Sequence, residues 1–260
     1  METPAHAAGL VEVLRLPSGA SEADEVAIEE PLEIRINGEP VAVTMRTPGH
    51  DEELALGFCI TEGLAPESAA LPADLAANTV EVVAAEFDRG RMARSFYTSS
   101  SCGVCGKGAL EAVAVEAPSV ESDLRVPASL VSSLPDRLRE GQAGFAATGG
   151  LHATGLFDAA GELLCLREDV GRHNAMDKAL GALMLSGRWP LPGVIACLSG
   201  RAGFELVQKA SLAGLAGVVS VGAPTSLAVQ LAEERDVLLC GFVRESSCNV
   251  YAGADRLATN

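Results

Sequence analysis

The sequence predicts an α/β protein: a layered sheet domain in the second half, preceded by a smaller, strand-rich α+β domain. Three observations lead there. From about residue 150 onward, short apolar runs alternate with helical patterns roughly 10–14 residues long, as strands layered with helices do. The first half instead carries alternating apolar and polar runs broken at Asn37-Gly38 and Arg89-Gly90, with one helical stretch. Between the two styles stands Ala117-Pro118-Ser119, which sets the boundary between a domain over 1–118 and a domain over 119–260.

The elements follow in order. Residues 34–45 read as strand, Asn37-Gly38 turn, strand, a hairpin pattern. The stretch Thr47-Pro48-Gly49-His50-Asp51 opens a helix whose first turn holds Asp51, Glu52 and Glu53, acidic groups suited to the positive end of a helix dipole. Leu54, Leu56, Phe58 and Ile60 give that helix its apolar content, and Gly63 ends it. Residues 79–87 and 91–97 form a second hairpin that delivers the chain to a cysteine loop, after which a short helix follows. In the second half the pattern gives a helix over 128–140, strands over 151–157 and 162–167, and a helix over 172–185. A strand over 194–198, a helix over 202–213, a strand over 218–221 and a helix over 226–234 come next. Strands at 237–242 and 249–251 complete the series.

Composition bounds the function. The 260 residues are 48% hydrophobic with a net charge of −16. Residues 1–125 hold 8 basic and 22 acidic side chains, whereas residues 126–260 hold 11 and 13. An acidic surface argues against binding nucleic acid, which needs a positive field to displace counterions. It leaves room for a small phosphorylated ligand in a local basic pocket of the second half. No apolar run reaches the ~18–20 residues that cross a bilayer, so no membrane association is expected. Met1-Glu2-Thr3-Pro4-Ala5-His6 lacks the basic start of a secretory signal. Seven cysteines, scattered apart from one pair, do not form a secreted disulfide framework, and the expected location is cytoplasmic.

That pair, Cys102 and Cys105, sits in Ser101-Cys102-Gly103-Val104-Cys105-Gly106. The spacing lets both sulfurs converge on one point, which suits a disulfide, half of a metal site, or a reactive thiolate with a helper. Lys107 and the helix that follows are able to lower a thiol pKa. A structural zinc normally takes a second cysteine pair, and this chain has no other C-x-x-C; His152 and His173 are the remaining candidate ligands.

The other candidate residues cluster at strand-to-helix junctions. Arg172 and His173 begin the helix after Arg167-Glu168-Asp169-Val170-Gly171, where free N–H groups hold anions. Ser199 and Arg201, Thr225 and Ser226, and the tract from Gly241 to Ser247 occupy later strand ends that should share one sheet edge. His152, following Thr148-Gly149-Gly150-Leu151, reads by default as a structural histidine.

Taken in order, these segments resemble a known family. Ser101 to Gly106, Thr148 to Ala153, Arg167 to Ala175 with Asp177-Lys178, Ser199-Gly200-Arg201 with Phe204-Glu205, Ala223 to Ala228, and Gly241-Phe242 with Arg244 and Asn249 to Tyr251 are similar to the formate dehydrogenase accessory sulfurtransferases, the FdhD/NarQ family. The match runs from about residue 30 to 256. The resemblance implies a protein that accepts persulfide sulfur from a cysteine desulfurase. It would pass that sulfur to the molybdenum of the bis-molybdopterin guanine dinucleotide cofactor required by formate dehydrogenase. Cys102 would carry the persulfide, and Cys105 would assist its transfer or resolve it. Phe242, Val243, Arg244, Glu245, Ser246 and Ser247 match the family's cofactor-binding tract, with Arg172, His173, Ser199, Arg201, Thr225 and Ser226 around it.

The resemblance further implies a homodimer and a second domain like the cytidine deaminase fold, without deaminase chemistry. His173-Asn174-Ala175 and Ser199-Gly200-Arg201 stand where that reaction's zinc ligands and glutamate would be, so no zinc is expected. Two positions depart from the family pattern. Gly203 replaces a serine, and Glu245-Ser246-Ser247 replaces a run that is often glycine-rich and basic. The competing readings are a non-catalytic molybdenum cofactor carrier and, ranked last, a thiol-disulfide oxidoreductase.

Overall fold

In strand β3 (Glu30–Ile36), Leu32, Ile34 and Ile36 alternate with Glu33 and Arg35, which buries one face and leaves the other partly exposed. Asn37 and Gly38, both at positive φ, turn the chain into antiparallel β4 (Glu39–Arg46). The computed structural model describes residues 7–73, 78–85, 87, 119–245 and 247–258. Cys102, Cys105, Ser246, the second arm of the expected 79–97 hairpin and the helix after Cys105 lie outside them.

Ahead of this hairpin, β1 (Ala8–Arg15) and β2 (Ala20–Ala27) form an antiparallel ribbon of their own. After it comes helix α1 (Asp51–Thr61), then β5 (Pro66–Ala70) and β6 (Thr79–Ala84). The four-stranded sheet runs β4-β3-β6-β5, with β3 and β6 parallel. Leu54, Ala55 and Cys59 of α1 share its core with Leu32, Ile34, Val80 and Val82.

The second half opens with β7 (Val126–Pro127), α2 (Ala128–Glu140) and a short α3 (Ala143–Thr148). It continues with β8 (His152–Phe157), β9 (Leu163–Asp169), α4 (Arg172–Leu185), β10 (Ile195–Leu198), α5 (Phe204–Leu212) and β11 (Gly217–Ser220). Helix α6 (Ser226–Glu234), β12 (Leu238–Arg244), β13 (Ser247–Ala252) and β14 (Leu257–Ala258) follow. One six-stranded sheet takes the order β13-β12-β11-β10-β8-β9. Its β10, β11 and β12 are parallel, and the flanking pairings are antiparallel.

Both faces of this sheet are covered, which explains its short, continuous apolar strands. Ile195, Cys197 and Leu238 face α2 through Val131, Leu134 and Leu138. The alternate residues Ala196, Leu198 and Leu239 face α4, α5 and α6 through Met176, Val207 and Ala228. Helices were anticipated at the positions of α2, α4 and α6, with matching bounds. The β1–β2 ribbon, β5, α3 and the small parallel pair β7–β14 were not anticipated.

The two halves meet where α1 crosses α4. A Cβ added at Gly57 would come within 1.9 Å of the Asp177 carbonyl oxygen, and one at Gly181 within 1.9 Å of the Glu53 carbonyl oxygen. Reciprocal glycines therefore let the two backbones touch. Buried charges join the halves as well. Lys178 donates to the Thr47 carbonyl at 2.7 Å, and Lys209 donates to Thr61 Oγ1 at 2.8 Å and to both Asp177 oxygens at 2.9 and 2.8 Å. At the far end of the chain, buried Arg256 donates to the carbonyls of Asp236, Ser122 and Val120 at 3.0, 2.6 and 3.1 Å. In the smaller sheet Asn37 holds Ala84 through both its carbonyl and its amide, at 2.8 and 3.1 Å.

Candidate functional site

Parallel strands β10, β11 and β12 end at the same edge, and their exit loops bond to one another. Ala202 donates to the Ala223 carbonyl at 3.2 Å, Gly222 to Gly200 at 3.0 Å, Thr225 to Ala202 at 3.1 Å and Phe242 to Gly222 at 3.0 Å. Ser199, Arg201, Thr225, Ser226 and the tract from Phe242 to Glu245 thus share one sheet edge. Two of these residues have assigned local roles: Ser199 Oγ accepts from the Ala153 amide at 2.9 Å, and Thr225 Oγ1 caps α6 by accepting from Ala228 at 3.4 Å. Phe242 and Glu245 adopt left-handed backbone, φ 52 and 49, on either side of Val243 and Arg244. Such residues cost on the order of 1–3 kcal/mol each and gather at ligand clamps and switch regions.

A cleft of about 530 Å³ opens beside this edge. One wall comes from α2 and the segment after it, through Arg139, Gln142 and Phe145; the other comes from Ser199, Val243, Arg244 and Glu245, with His152 also lining it. The Arg139 guanidinium lies over the Phe145 ring, 4.4 Å from its centroid. Arg172, His173, Arg201, Thr225 and Ser226 do not line the cleft. Arg139, Gln142 and Phe145 are cleft residues that sequence reasoning missed, because nothing in a helix-like pattern marks which polar face looks onto a strand end. His152, read as structural, belongs to this wall, and the Gly149-Gly150 lead-in was its signal.

The imidazole of His152 is half-buried, and burial, followed by the nearby Arg172 and His173, holds its pKa below the usual histidine value against a weaker pull from Asp169. His173 itself sits 2.7 Å from Glu205, Nε2 to Oε2. That hydrogen bond outweighs burial and lowers the Glu205 carboxyl pKa.

The charged run before α4 is largely consumed inside the fold. Arg167 pairs with Glu53, Nη2 to Oε1 at 2.7 Å. Glu168 accepts from the amides of Gly144 and Phe145 at 2.8 Å each, so it holds the segment that brings Phe145 to the cleft. Asp169 Oδ2 accepts from the Thr47 amide at 3.1 Å, and Asn174 donates to the Met45 carbonyl at 2.7 Å. Arg172 and His173 remain half-buried at the helix start, and among the described residues Arg172 has no side-chain hydrogen bond or ion pair.

Five of the seven cysteines lie among the described residues, all as free thiols. Burial, with the charges of Asp177 and Glu62, pushes the Cys59 thiol up to about 12. Burial pushes Cys165 up to about 11, and burial together with Cys248 pushes Cys240 up to about 12. Cys197 is fully buried and is also raised. These four are held as neutral thiols near neutral pH. Among the described residues, no group of three or more His, Cys, Asp or Glu side chains is placed to hold a metal ion.

Comparison with known proteins agrees with this fold. The chain is 46% identical to the sulfur carrier protein FdhD of Streptomyces avermitilis, over 95% of this chain and 94% of that protein. It is 48% identical to the sulfur carrier protein FdhD of Mycolicibacterium paratuberculosis, over 90% and 92%. A crystal structure assigned as a formate dehydrogenase accessory protein from Desulfotalea psychrophila superposes with a TM-score of 0.75 at 24% identity, covering 96% of this chain and 98% of that one, and so shares the fold. Residues 27–258 match the FdhD/NarQ family along nearly the whole described fold, and the chain belongs to that family.

Proposed function

We propose that this protein is a sulfur carrier for formate dehydrogenase maturation. It takes persulfide sulfur from a cysteine desulfurase onto Cys102 and delivers it to the molybdenum of the bis-molybdopterin guanine dinucleotide cofactor, its substrate. One observation carries the reading: four of the five described thiols are sealed in the core with raised pKa values, which leaves Cys248 and the Cys102/Cys105 pair for nucleophilic sulfur chemistry, and of these only the pair carries a second thiol within its own short motif.

The steps balance. The Cys102 thiolate attacks the outer sulfur of the desulfurase persulfide; the S–S bond breaks, and the desulfurase leaves as a thiolate. Attack by the Cys105 thiolate on Cys102 Sγ then forms a Cys102–Cys105 disulfide and frees the outer sulfur as hydrosulfide. The cofactor, as substrate, would take up that sulfur at its molybdenum and release an oxygen ligand as water, using the hydrosulfide proton and one more from solvent. A cytoplasmic dithiol restores the two thiols.

The cofactor sits in the second domain, 119–260, at the edge that gathers Phe242 to Glu245, Ser199, Arg201, Thr225 and Ser226. Support for a cytidine deaminase-like arrangement comes from the sheet order, an antiparallel β8–β9 pair beside three parallel strands. Where a deaminase has His-x-Glu and a cysteine pair, this chain reads His173-Asn174-Ala175 and Ser199-Gly200-Arg201, so the glutamate and the cysteine ligands are missing and the edge is left for binding. The working form is a homodimer.

Intact mass after incubation with a desulfurase and cysteine tests the reading. The wild type gains one sulfur atom and Cys102→Ala gains none. GDP binding without any sulfur uptake would instead identify a non-catalytic cofactor carrier.

A further inference from the structure

The cleft beside β12 is nearly balanced in charge. Arg139 and Arg244 line it, and so do Asp136 and Glu245. Two positive and two negative groups offset one another, so the sign of the cleft is decided by the remaining titratable residue of its wall, His152. Among the described residues, the His152 imidazole makes no side-chain hydrogen bond. It stands against the β10 exit loop, where a Cβ at Gly200 would lie 3.4 Å from its Nδ1, next to Ser199.

We propose that the cleft is a proton-linked anion site, in which an anionic ligand group and a proton on His152 bind together. The cofactor reading supplies the identity of the ligand, as its guanine diphosphate portion; the anion site itself rests on the geometry of the cleft. Arg172 and His173 at the start of α4 oppose protonation of His152, and Asp169 at the end of β9 favours it more weakly. Asp169 already holds Lys178 and the Thr47 amide, so its charge is committed. Across the cleft, Arg139 with Asp136 and Arg244 with Glu245 leave no net charge. An incoming anion is therefore the one new partner able to favour imidazolium, and imidazolium in turn makes the cleft cationic. Without an anion the surroundings of His152 favour the neutral imidazole, and a bound anion shifts it toward imidazolium.

The direction follows from linkage. Ligand raises the His152 pKa, so affinity increases as pH falls from the liganded pKa to the free one, by at most about tenfold per pH unit, and is flat above that window. The device suits a protein that must bind an anionic cofactor and later let it go, since losing one proton lowers the hold on the ligand.

Two probes separate this inference from the cofactor reading: GDP, and inorganic sulfate, whose charge is fixed between about pH 6 and 8. Calorimetry with GDP in buffers of different ionisation enthalpy should show more proton uptake on binding by wild type than by His152→Gln, whose remaining exchange is that of the GDP terminal phosphate. Sulfate affinity should rise toward lower pH for wild type and be nearly flat for His152→Gln. Arg139→Gln should weaken both ligands at every pH and keep the slope. Uptake that persists unchanged in His152→Gln, or wild-type binding without uptake, overturns the proton link and leaves the cofactor reading standing. Sulfate binding with His152-dependent uptake but no GDP binding sinks the guanine assignment and leaves the proton-linked site in place.

Discussion

Lys178 Nζ lies 2.7 Å from Asp169 Oδ2, and the two side chains are 1% and 0% exposed. The pair sits where the halves meet, because the same ammonium donates to the Thr47 carbonyl and the same carboxylate oxygen accepts from the Thr47 amide. Asp169 also accepts from Gly171 and Asn174 through its other oxygen, at 2.8 and 3.2 Å. The carboxylate is thus partnered at both oxygens, and the ammonium by the carboxylate and a main-chain carbonyl. The ion pair fixes the start of α4 against the loop before α1.

Asp169→Ala leaves a buried ammonium unpaired and should destabilise the protein by about 3–5 kcal/mol. Asp169→Ala with Lys178→Met removes both charges and should recover part of that loss. Urea unfolding of the four proteins in the cycle measures it, and a double variant no more stable than Asp169→Ala would contradict the account.

The α1–α4 crossing predicts an inversion of helix propensity. Alanine is the better helix former by about 1 kcal/mol at an exposed site. At Gly57 and Gly181, however, its Cβ would meet backbone oxygens at 1.9 Å. Gly57→Ala and Gly181→Ala should each lower the melting temperature or prevent folding, as scanning calorimetry would show.

Gly203 makes the opposite case. It occupies the N-cap of α5 with φ −84 and ψ 168, no side chain caps that helix, and a Cβ there would meet nothing within 4 Å. Gly203→Ser should stabilise the protein by a few tenths of a kcal/mol through a new cap. A fall in unfolding midpoint would show that the missing hydroxyl has no room.

The Glu53 carboxyl is half-buried, which pushes its pKa up, but hydrogen bonds from Arg167 and then His50 outweigh burial and bring it down to about 2. A depressed carboxyl stabilises the fold above its unfolded value near 4.3, and that contribution is lost as pH falls toward about 2. Acid titration of wild type should therefore show a stability loss in this window that is smaller in Glu53→Gln.

Thiol reactivity offers a direct count. A soluble alkylating reagent near neutral pH should leave Cys59, Cys165, Cys197 and Cys240 unmodified in the native protein, given their burial. Cys102 should react first and Cys248 slowly, while denaturant should release all seven. Rapid native labelling of Cys197 would contradict the packing described. In cells, Cys102→Ala should abolish client dehydrogenase activity; Cys105→Ala should still take up the persulfide sulfur on Cys102 but lose dehydrogenase activity to the extent that release runs through the Cys105 thiolate.

What sequence could foresee follows from how local each signal is. The Asn37-Gly38 turn and α2, α4 and α6 were legible because periodicity and turn chemistry are written within a dozen residues. The β1–β2 ribbon was not, since Ala20-Ser21-Glu22-Ala23-Asp24-Glu25 has no apolar alternation and Leu10, Leu14 and Leu16 stay largely exposed. Helix α3 spans six residues, too few for a period to show. At the site, the junctions after β10, β11 and β12 were placed on one edge, as found. The charge density around Arg167 to Lys178 suggested anion binding because its partners Glu53, Thr47 and Thr61 lie more than 100 positions away. Charge composition alone does not distinguish an ion pair from a vacant cation.

The hold of Asn37 on Ala84 and of Arg256 on Val120 and Ser122 has a mechanical meaning. The stretch bearing both thiols leaves the smaller sheet at one fixed post and rejoins the larger unit at another. Each post is made of hydrogen bonds to main-chain groups, so tension along the chain between residues 84 and 120 is borne there. Tension from one end is taken up by a strand of the four-stranded sheet. Tension from the other reaches the C-terminal turn, away from the cleft beside β12. The two posts therefore stand apart from the main-chain bonds that shape the edge beside the cleft.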